Sequence, residues 1–378
     1  MIVQRPPLGW NSWNTFGHNI NENMIREMAD AMVETGLRDA GYEYLVIDDC
    51  WSMHQRDENG RLVADPEKFP SGMKAVADYV HSKGLKFGMY SCDGTLTCAR
   101  YPSSFDYEFV DAATFAEWGV DFLKYDNCNR PVNYPGRLLY KRMGLALANC
   151  GRDILFSACN WGVDNSPEWI KETGAHMWRS TGDIVDNWAS IKDLTLAQLP
   201  LLKTNGQGCF NDMDMLVVGM GGKGNVGVGG CTLEEYRTHF SIWSFFGSPL
   251  MIGCDIREMS DEIKAILMNK EVLAINQDAA YRQPFEISTV HWGGELAWSV
   301  WGKFLENGDI ALGCFNLSDN NTNPCLAMAD LGLGGRSGKA LKIRDLWSGE
   351  DLGVFKDQFV ADVAAHGCRM FRGQVVDA

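Results

Sequence analysis

The chain has 378 residues, of which 46% are hydrophobic and 22% are charged. These are ordinary globular values, so they exclude disordered, fibrous and coiled-coil proteins, and the length predicts one large domain followed by a smaller one. The formal net charge of −15 disfavours binding to nucleic acid or to an anionic membrane, because no basic patch is available to meet phosphate groups, and it favours a neutral partner.

The N-terminus and the cysteines bear on the cellular compartment. The opening residues, MIVQRPPLGWNSWN, lack the charged segment and apolar run of a secretion signal, and nowhere do about 18 apolar residues follow one another. We therefore expect a cytoplasmic protein, or a mature form from which a signal has been removed. The 12 cysteines include no Cys-x-x-Cys pair, and the chain has no His-Glu-x-x-His motif, so we expect mostly free thiols and no zinc site.

Short apolar runs alternate with helical patterns through the first two thirds of the chain. Near-continuous apolar character is typical of parallel strands that are covered on both faces. After the first run, Ile25, Met28 and Met32 recur with the period of a helix. Eight such units in about 250 residues predict a closed (β/α)8 barrel, also called a TIM barrel. The runs are Leu8–Trp13, Tyr44–Trp51, Lys86–Cys92, Phe122–Cys128, Ile154–Trp161, His176–Ile184, Gly208–Met215 and Pro249–Ile256.

The pattern changes after Gln277-Asp278 to short alternating segments separated by turn residues. The segments Leu296–Trp301, Ile310–Leu317 and Leu341–Trp347 are typical of antiparallel strands. We therefore predict a catalytic barrel over residues 1–280 and a C-terminal antiparallel β-sandwich over residues 281–378. The sandwich could contact a partner subunit, which leaves a homo-oligomer open.

A glycine-rich stretch, GMGGKGNVGVGG, covers residues 219–230. It contains Gly-Lys, but Gly224 follows where a phosphate-binding loop needs Ser or Thr. The stretch is better explained as a loop at the active site, since loops at a barrel's C-terminal face carry function.

Polar and aromatic side chains gather at the predicted C-terminal ends of the strands, where barrel enzymes place their sites. Carboxylates with a few cations and tryptophans are typical of a sugar pocket: the acids bind hydroxyls and transfer protons, and aromatic faces stack on C–H groups. The residues at these ends are Trp10, Trp13, Asp48, Asp49, Trp51, Tyr90, Asp93, Lys124, Asp126, Asn127, Cys159, Asn160, Trp161, Arg179, Asp183, Asp212, Asp214 and Asp255.

Structural roles explain some of these residues, but not the paired ones. Adjacent carboxylates at Asp48 and Asp49 would repel each other at the end of an apolar run, a cost that a structural role does not require. Lys124 and Asp126 point to the same side of their strand, where a simple ion pair is the alternative. Helix capping is favoured for Asp212 and Asp255 taken alone, and core positions remain open for Trp10 and Trp51. His176 lies within an apolar run and is expected to be a satisfied core residue.

Six segments resemble the signature segments of glycoside hydrolase family 27, in the family's order. They are GWNSW (9–13), IDDCW (47–51), KYDNC (124–128), RSTGDI (179–184), NDMDML (211–216) and INQD (275–278). The family comprises α-galactosidases, α-N-acetylgalactosaminidases and some β-L-arabinopyranosidases. The resemblance implies a retaining exo-glycosidase that acts on a galactose-containing oligosaccharide or glycoconjugate and needs neither a cofactor nor a metal.

Residue by residue, the resemblance implies that Asp126 is the nucleophile and Asp183 the acid/base. We expect Lys124 to keep Asp126 ionised and a neighbouring acidic cluster to help keep Asp183 protonated. The resemblance also implies that the sugar subsite is lined by Trp13, Asp48, Asp49, Tyr90, Cys98, Lys124, Cys159, Trp161, Arg179, Asp214 and Met215.

The chain also departs from the family pattern. It has Asn160 where many members carry Glu, which bears on the group accepted at sugar C2. Gly17 and His18 stand where secreted relatives have a cysteine partner for Cys50, whereas both cysteines of the family's other disulfide, Cys98–Cys128, are present.

Among the family's sugars we favour galactose. Asp48 is shorter than the Glu of arabinopyranosidases and leaves room at C6, and a wall that contains Cys159 and Trp161 would crowd an N-acetyl group. The α-N-acetylgalactosaminidase and β-L-arabinopyranosidase activities are the alternatives. A noncatalytic carbohydrate-binding protein and a metal-dependent hydrolase are more remote ones.

Overall fold

A computed structural model describes residues 2–378 of the chain. Eight parallel strands form one sheet in the order β7-β6-β5-β4-β3-β2-β1-β8. Each predicted apolar run contains one strand, and the strands are almost entirely buried, as parallel strands covered on both faces require. Their bounds are β1 Leu8–Asn11, β2 Tyr44–Val46, β3 Lys86–Cys92, β4 Phe122–Asp126, β5 Leu155–Cys159, β6 Met177–Arg179, β7 Phe210–Asp212 and β8 Leu250–Ile252.

The two ends of this strand order meet and close the barrel. Strand β1 pairs in parallel with both β2 and β8. Beyond the end of β7, the Leu216 N–H donates to the Met251 carbonyl at 2.7 Å, and the Gly253 N–H donates to the Leu216 carbonyl at 2.9 Å. The predicted (β/α)8 barrel is therefore confirmed, with its last seam made by the segment that follows β7.

The helices between the strands have the polarity that the sequence predicts. Helix α2 begins where the Asn21 side chain accepts from the Met24 N–H at 3.0 Å, and it buries Ile25, Met28 and Met32. The helices along this part of the chain are α1 Trp13–Phe16, α2 Glu22–Glu34, α3 Gly72–Ser82, α4 Glu108–Trp118, α5 Gly136–Ala148 and α6 Trp188–Gln198.

Several strands end sooner than the apolar runs that predict them. Strand β2 ends at Val46 and β7 at Asp212, and positive φ angles follow at Cys50 (74°) and Asp214 (81°). An extended strand cannot pass through such residues, so the chain turns there. The carboxylates at 48, 49 and 214 consequently stand on loops at the barrel rim rather than within strands.

The chain divides into two compact units. One contains the residues up to Gly230 together with Pro249–Ser260, and the other contains Cys231–Ser248 together with Asp261–Ala378. The second unit begins with helices α7 Leu233–Phe245, α8 Asp261–Leu267 and α9 Lys270–Asn276. The predicted domain boundary at residue 280 stays a prediction.

Antiparallel strands make up the rest of the second unit. A six-stranded sheet has the order β14-β13-β16-β11-β10-β9, and β12 pairs with β15 in a second sheet. Val300, Leu312, Leu341 and Phe371 belong to its buried core, which confirms the predicted sandwich. The strands are β9 Phe285–Trp292, β10 Glu295–Phe304, β11 Ile310–Asn316, β12 Cys325–Ala327, β13 Lys339–Asp345, β14 Asp351–Phe355, β15 Gln358–Val360 and β16 Cys368–Asp377.

No helix within residues 2–378 combines the length and the apolar character that crossing a bilayer requires.

Candidate active site

A pocket opens at the C-terminal ends of the barrel strands, and all but one of the predicted site residues line it. The exception is Cys159, which is buried and lines a smaller cavity together with Lys124, Arg179 and Asp214. The predicted residues in the pocket wall are Trp13, Asp48, Asp49, Tyr90, Cys98, Lys124, Asp126, Trp161, Arg179, Asp183, Asp214 and Met215.

Asp48 forms a buried ion pair with Lys124. The Lys124 Nζ lies 2.7 Å from Asp48 Oδ2, and the Asn11 amide donates to the same oxygen at 2.8 Å. Burial lowers the pKa of Lys124, but the Asp48 carboxylate outweighs it and holds that pKa above its ordinary value. Lys124 therefore stays charged inside the pocket.

Asp49 is held by two backbone donors, one from another loop and one from the next residue. The N–H of Ala99 donates to its Oδ2 at 2.9 Å, and the Cys50 N–H donates to its Oδ1 at 2.7 Å. Burial raises the pKa of Asp49 to about 6, although these donors oppose the shift. A carboxyl so held is oriented to accept from a sugar hydroxyl.

Asp126 ends β4 at the floor of the pocket and is 7% exposed. The Tyr90 hydroxyl donates to its Oδ2 at 3.0 Å, the Asn127 N–H donates to its Oδ1 at 2.9 Å, and the Asp93 N–H donates to its main-chain carbonyl at 2.9 Å. Burial raises the pKa of Asp126, and the positive charge of Lys124 opposes this rise. Lys124 thus acts on Asp126 in the expected direction, although its hydrogen bond goes to Asp48.

Asp183 and Asp214 share one arginine. Arg179 contacts Asp183 through one terminal nitrogen, and the other lies 2.8 Å from Asp214 Oδ1. The Asp183 side chain is 73% exposed, whereas that of Asp214 is 7% exposed. The Asp214 Oδ2 also accepts from the Ile184 N–H at 2.7 Å, so Asp214 fixes the segment that carries Asp183.

The expectation that an acidic cluster keeps Asp183 protonated is wrong for the free protein. Enclosure by the pocket raises the pKa of Asp183, but the Arg179 guanidinium outweighs it and holds the pKa below its ordinary value. The resemblance could not reveal that Arg179 contacts both Asp183 and Asp214, because Arg179 and Asp214 lie far apart in the sequence.

The segment after β5 presents Trp161 to the pocket and turns Asn160 away from it. Trp161 adopts a left-handed conformation with φ of 58°, which swings its ring into the pocket wall. Asn160 is fully buried, and its amide donates to the Val163 carbonyl at 3.2 Å. Asn160 is therefore occupied by its own turn instead of facing the C2 position of a sugar.

Cys98 and Cys128 form a disulfide with a Cα–Cα distance of 5.0 Å. The Cys98 Sγ lies 3.6 Å from Asp126 Oδ2, so the bridge forms part of the pocket wall. These two sulfurs and the Asp126 carboxylate lie within 4.8 Å of one another, but disulfide sulfurs are not thiolates and do not fit a metal ion. Cys50 is a buried free thiol, as expected.

The structural alternatives hold for most of the remaining strand-end residues. Trp10 and Trp51 are buried and donate to the carbonyls of Cys254 and Tyr90. Asp255 caps a short 3-10 helix, and the ring of His176 accepts from the Phe156 N–H at 2.9 Å. Asp212 caps no helix, because its carboxylate accepts from the Asp214 N–H within the turn after β7.

Three residues in the pocket wall were missed by sequence reasoning. They are Asn14, Ile184 and Val226. Asn14 and Ile184 directly follow the predicted residues Trp13 and Asp183 in the sequence, and this adjacency could have pointed to them. Val226 lies in the glycine-rich loop, and its position confirms that this loop stands at the active site.

Comparison with known proteins places this geometry in a family. The model of the family described as alpha galactosidase A matches residues 5–278, and that of the alpha galactosidase C-terminal beta sandwich domain matches residues 295–372. An α-galactosidase of Cyamopsis tetragonoloba is 44% identical over 372 residues, which cover 98% of this chain and 86% of that protein.

Two further relatives agree. Alpha-galactosidase A of Cellvibrio japonicus is 43% identical over 391 residues, covering 98% of this chain and 92% of that protein. The crystal structure of α-galactosidase I from Mortierella vinacea superposes with a TM-score of 0.88 at 34% identity, covering 98% of this chain and 97% of that one.

Proposed function

The chain belongs to the α-galactosidase family, glycoside hydrolase family 27, and on this premise we propose that it is a retaining exo-glycosidase that removes terminal α-D-galactosyl residues from oligosaccharides or glycoconjugates. The observation that carries the proposal is the pocket that holds Asp126 and Asp183 together with hydroxyl-binding groups. A pocket that places these groups together suits the terminal sugar of a chain, because that sugar can be held on several sides at once.

The reaction is a double displacement. The Asp126 carboxylate attacks the anomeric carbon, and the bond to the leaving oxygen breaks while that oxygen takes a proton from Asp183. A water then gives a proton to Asp183 and attacks the same carbon, releasing Asp126 and restoring the α-configuration. The residues that bind remote hydroxyls, Asp48 and Asp49 among them, fix the sugar for attack.

The protonation states change when the substrate enters. In the free protein Arg179 favours the ionised form of Asp183, which is the wrong form for the first step. A bound glycoside displaces water from the exposed Asp183 carboxyl, and this loss of solvation raises its pKa. Lys124 opposes the same change at Asp126, so the two carboxyls separate into a base and an acid.

Galactose is the sugar that the pocket supports best. Asp48 leaves the space that a longer Glu would fill at C6, and the Trp161 ring narrows the pocket against an N-acetyl group. Asn160 is fully buried, donates to the Val163 carbonyl and is not among the residues that line the pocket, which argues against a hydrogen bond to an acetamido oxygen. Cys159 lies behind the pocket wall, where it lines the smaller cavity instead of the pocket itself.

A panel of aryl glycosides that differ only in the sugar tests this proposal. We expect kcat/KM for the α-galactoside to exceed that for the α-N-acetylgalactosaminide and the β-L-arabinopyranoside by at least about tenfold, roughly 1.4 kcal/mol of barrier. Comparable rates on the acetamido sugar would overturn the choice of galactose. Proton NMR of early product should show α-galactose first, and β-galactose first would overturn the retaining mechanism.

A homo-oligomer and a cytoplasmic location stay predictions.

A further inference from the structure

The glycine-rich loop, residues 219–230, is tied to the segment that carries Asp183. Asp186, which is fully buried, makes three hydrogen bonds to it. Its Oδ2 accepts from the Gly222 N–H at 2.7 Å, its main-chain N–H donates to the Val226 carbonyl at 3.0 Å, and its carbonyl accepts from the Gly230 N–H at 2.9 Å. One residue thus fixes the beginning, the middle and the end of the loop.

The loop also packs on the residues that follow Trp13. The N–H of Val226 donates to the Asn14 carbonyl at 3.0 Å, and the Asn225 N–H donates to the Thr15 carbonyl at 3.1 Å. A Cβ added to Gly224 would lie only 2.7 Å from the Thr15 Cα, so glycine is needed for this close approach. The loop backbone therefore bridges the Trp13 side and the Asp183 side of the pocket.

Val226 is the loop residue that this arrangement directs to the pocket. It is partly buried and lines the pocket, as Ile184 and Asn14 do. Val228, two residues further on, is 51% exposed and does not line the pocket that the described residues form. Two valines of one loop therefore differ in whether they face the site.

We propose that Val226 is a specificity-determining residue of the leaving-group subsite. This inference rests on the proposed glycosidase function, in which Asp183 stands beside the oxygen that joins the galactose to its leaving group. The carbonyl of Val226 accepts a hydrogen bond from the main-chain N–H of Asp186, three residues beyond Asp183. Val226, through this hydrogen bond, and Ile184, the next residue in the chain, therefore belong to the part of the pocket wall that carries the acid, where the leaving group has to be placed.

The chemistry of this wall defines the leaving group that it accepts. Val226 and Ile184 offer only C–H surface, so they favour an apolar ring face, either the C–H face of a second sugar or an aryl ring. A leaving group of one atom gains nothing from the wall. Contact with Val226 should consequently be felt only with substrates whose leaving group reaches it.

Leaving groups of different size test the proposal in the full-length protein. The substrates are p-nitrophenyl α-galactoside, a disaccharide with a terminal α-galactosyl residue, and α-galactosyl fluoride, whose leaving group is one atom. We expect Val226→Ala to lower kcat/KM for the aryl and disaccharide substrates about tenfold relative to the fluoride, or ~1.4 kcal/mol. Val228→Ala is the matched control and should leave all three values within about twofold.

Val226→Thr keeps the shape of the side chain and replaces the alanine variant if that variant does not fold. It should lower kcat/KM for the aryl and disaccharide substrates, relative to the fluoride, by a smaller factor. The inhibition constant for free galactose should stay within about twofold, because galactose occupies the sugar subsite alone. An equal loss on all three substrates, a weakened galactose affinity or no change at all would each overturn the role of Val226. Inactivity of the unmodified protein on every galactoside would instead overturn the proposed function.

Discussion

Buried basic side chains have different partners in the two units of the molecule. In the pocket of the first unit they meet other charges: Lys124 faces Asp48, and Arg179 faces Asp183 and Asp214. In the second unit the ammonium group of Lys303, 1% exposed, meets main-chain carbonyls, at 3.2 Å from Ile275 and 3.5 Å from Phe245.

The consequences for protonation differ accordingly. Burial lowers the pKa of Lys303 to about 8, although the negative charge of Asp278 opposes this shift, whereas the pKa of Lys124 stays above its ordinary value. Phe245 ends α7 and Ile275 lies in the last turn of α9, so Lys303 meets the negative ends of two helix dipoles. In the pocket, ion pairing keeps the basic side chains charged for chemistry. Lys303 only joins two helices, and uncharged main-chain carbonyls are sufficient partners for that role.

The largest effect is expected at Asp126. Asp126→Asn removes the nucleophile, so kcat should fall by on the order of 10⁴–10⁶-fold on natural and activated galactosides alike. Asp255→Asn changes a strand-end aspartate outside the pocket and is the matched control, with kcat near that of the unmodified protein. Steady-state rates with each variant, after circular dichroism has shown both to be folded, measure the difference. Retained turnover with normal binding would mean that the pocket charges are not catalytic.

Asp183→Asn should give a loss that depends on the leaving group. For disaccharides, whose leaving oxygen needs a proton, kcat/KM should fall about 10²–10⁴-fold. With α-galactosyl fluoride, which leaves without protonation, the galactosylation step should be largely retained. Pre-steady-state release of fluoride checks this, and equal losses on both substrates would contradict the acid/base role.

Arg179 tests whether charge pairing sets the acidity of the site. Because Arg179 holds the pKa of Asp183 low, Arg179→Gln should raise that pKa. The protonated acid then persists to higher pH, so the basic limb of the kcat/KM profile for a disaccharide should move to higher pH. The maximum kcat/KM of the Arg179→Gln variant should also fall, since Asp214 loses its ion-pair partner. The pH at which the basic limb falls is therefore the quantity to measure. A limb at the same pH as in the unmodified protein would show that Arg179 does not set the pKa of Asp183.

Lys303 is expected to give the smallest effect, and only on stability. Its folded-state pKa of about 8 lies below the ordinary value near 10.4, so the unfolded chain binds more protons between these two values. Stability attributable to Lys303 therefore rises with pH across that window, by about 2 kcal/mol between pH 7 and pH 9.5.

Urea unfolding at both pH values, compared with Lys303→Met, measures this change. The variant should lack the rise, and Lys342→Met, which removes a half-exposed lysine of β13, should retain it. Activity of Lys303→Met near that of the unmodified protein would sharpen the contrast between the two units. A similar pH dependence in all three proteins would show that the buried lysine does not titrate in this range.

The sequence by itself determined the architecture and the membership of the site. The alternation of apolar runs with helical periods is a local property, so it identified each barrel strand, and the polar and aromatic residues at the strand ends included ten of the residues that line the pocket. Two more, Cys98 and Met215, came only from the family resemblance. The exact strand ends were not available, because the positive φ angles at Cys50 and Asp214 follow from the loops around them and not from residue type.

Only the tertiary structure decided which partner each group takes. The Asp48–Lys124 ion pair joins residues 76 positions apart, and Lys124 could as well have bonded to its strand neighbour Asp126. Asn160 turned inward to Val163, and Val226 reached the pocket because Asp186 and Asn14 hold its backbone. Local periodicity fixes which side of a strand a residue occupies, but a hydrogen bond or ion pair depends on distances of a few ångströms between distant segments, and only packing sets those distances.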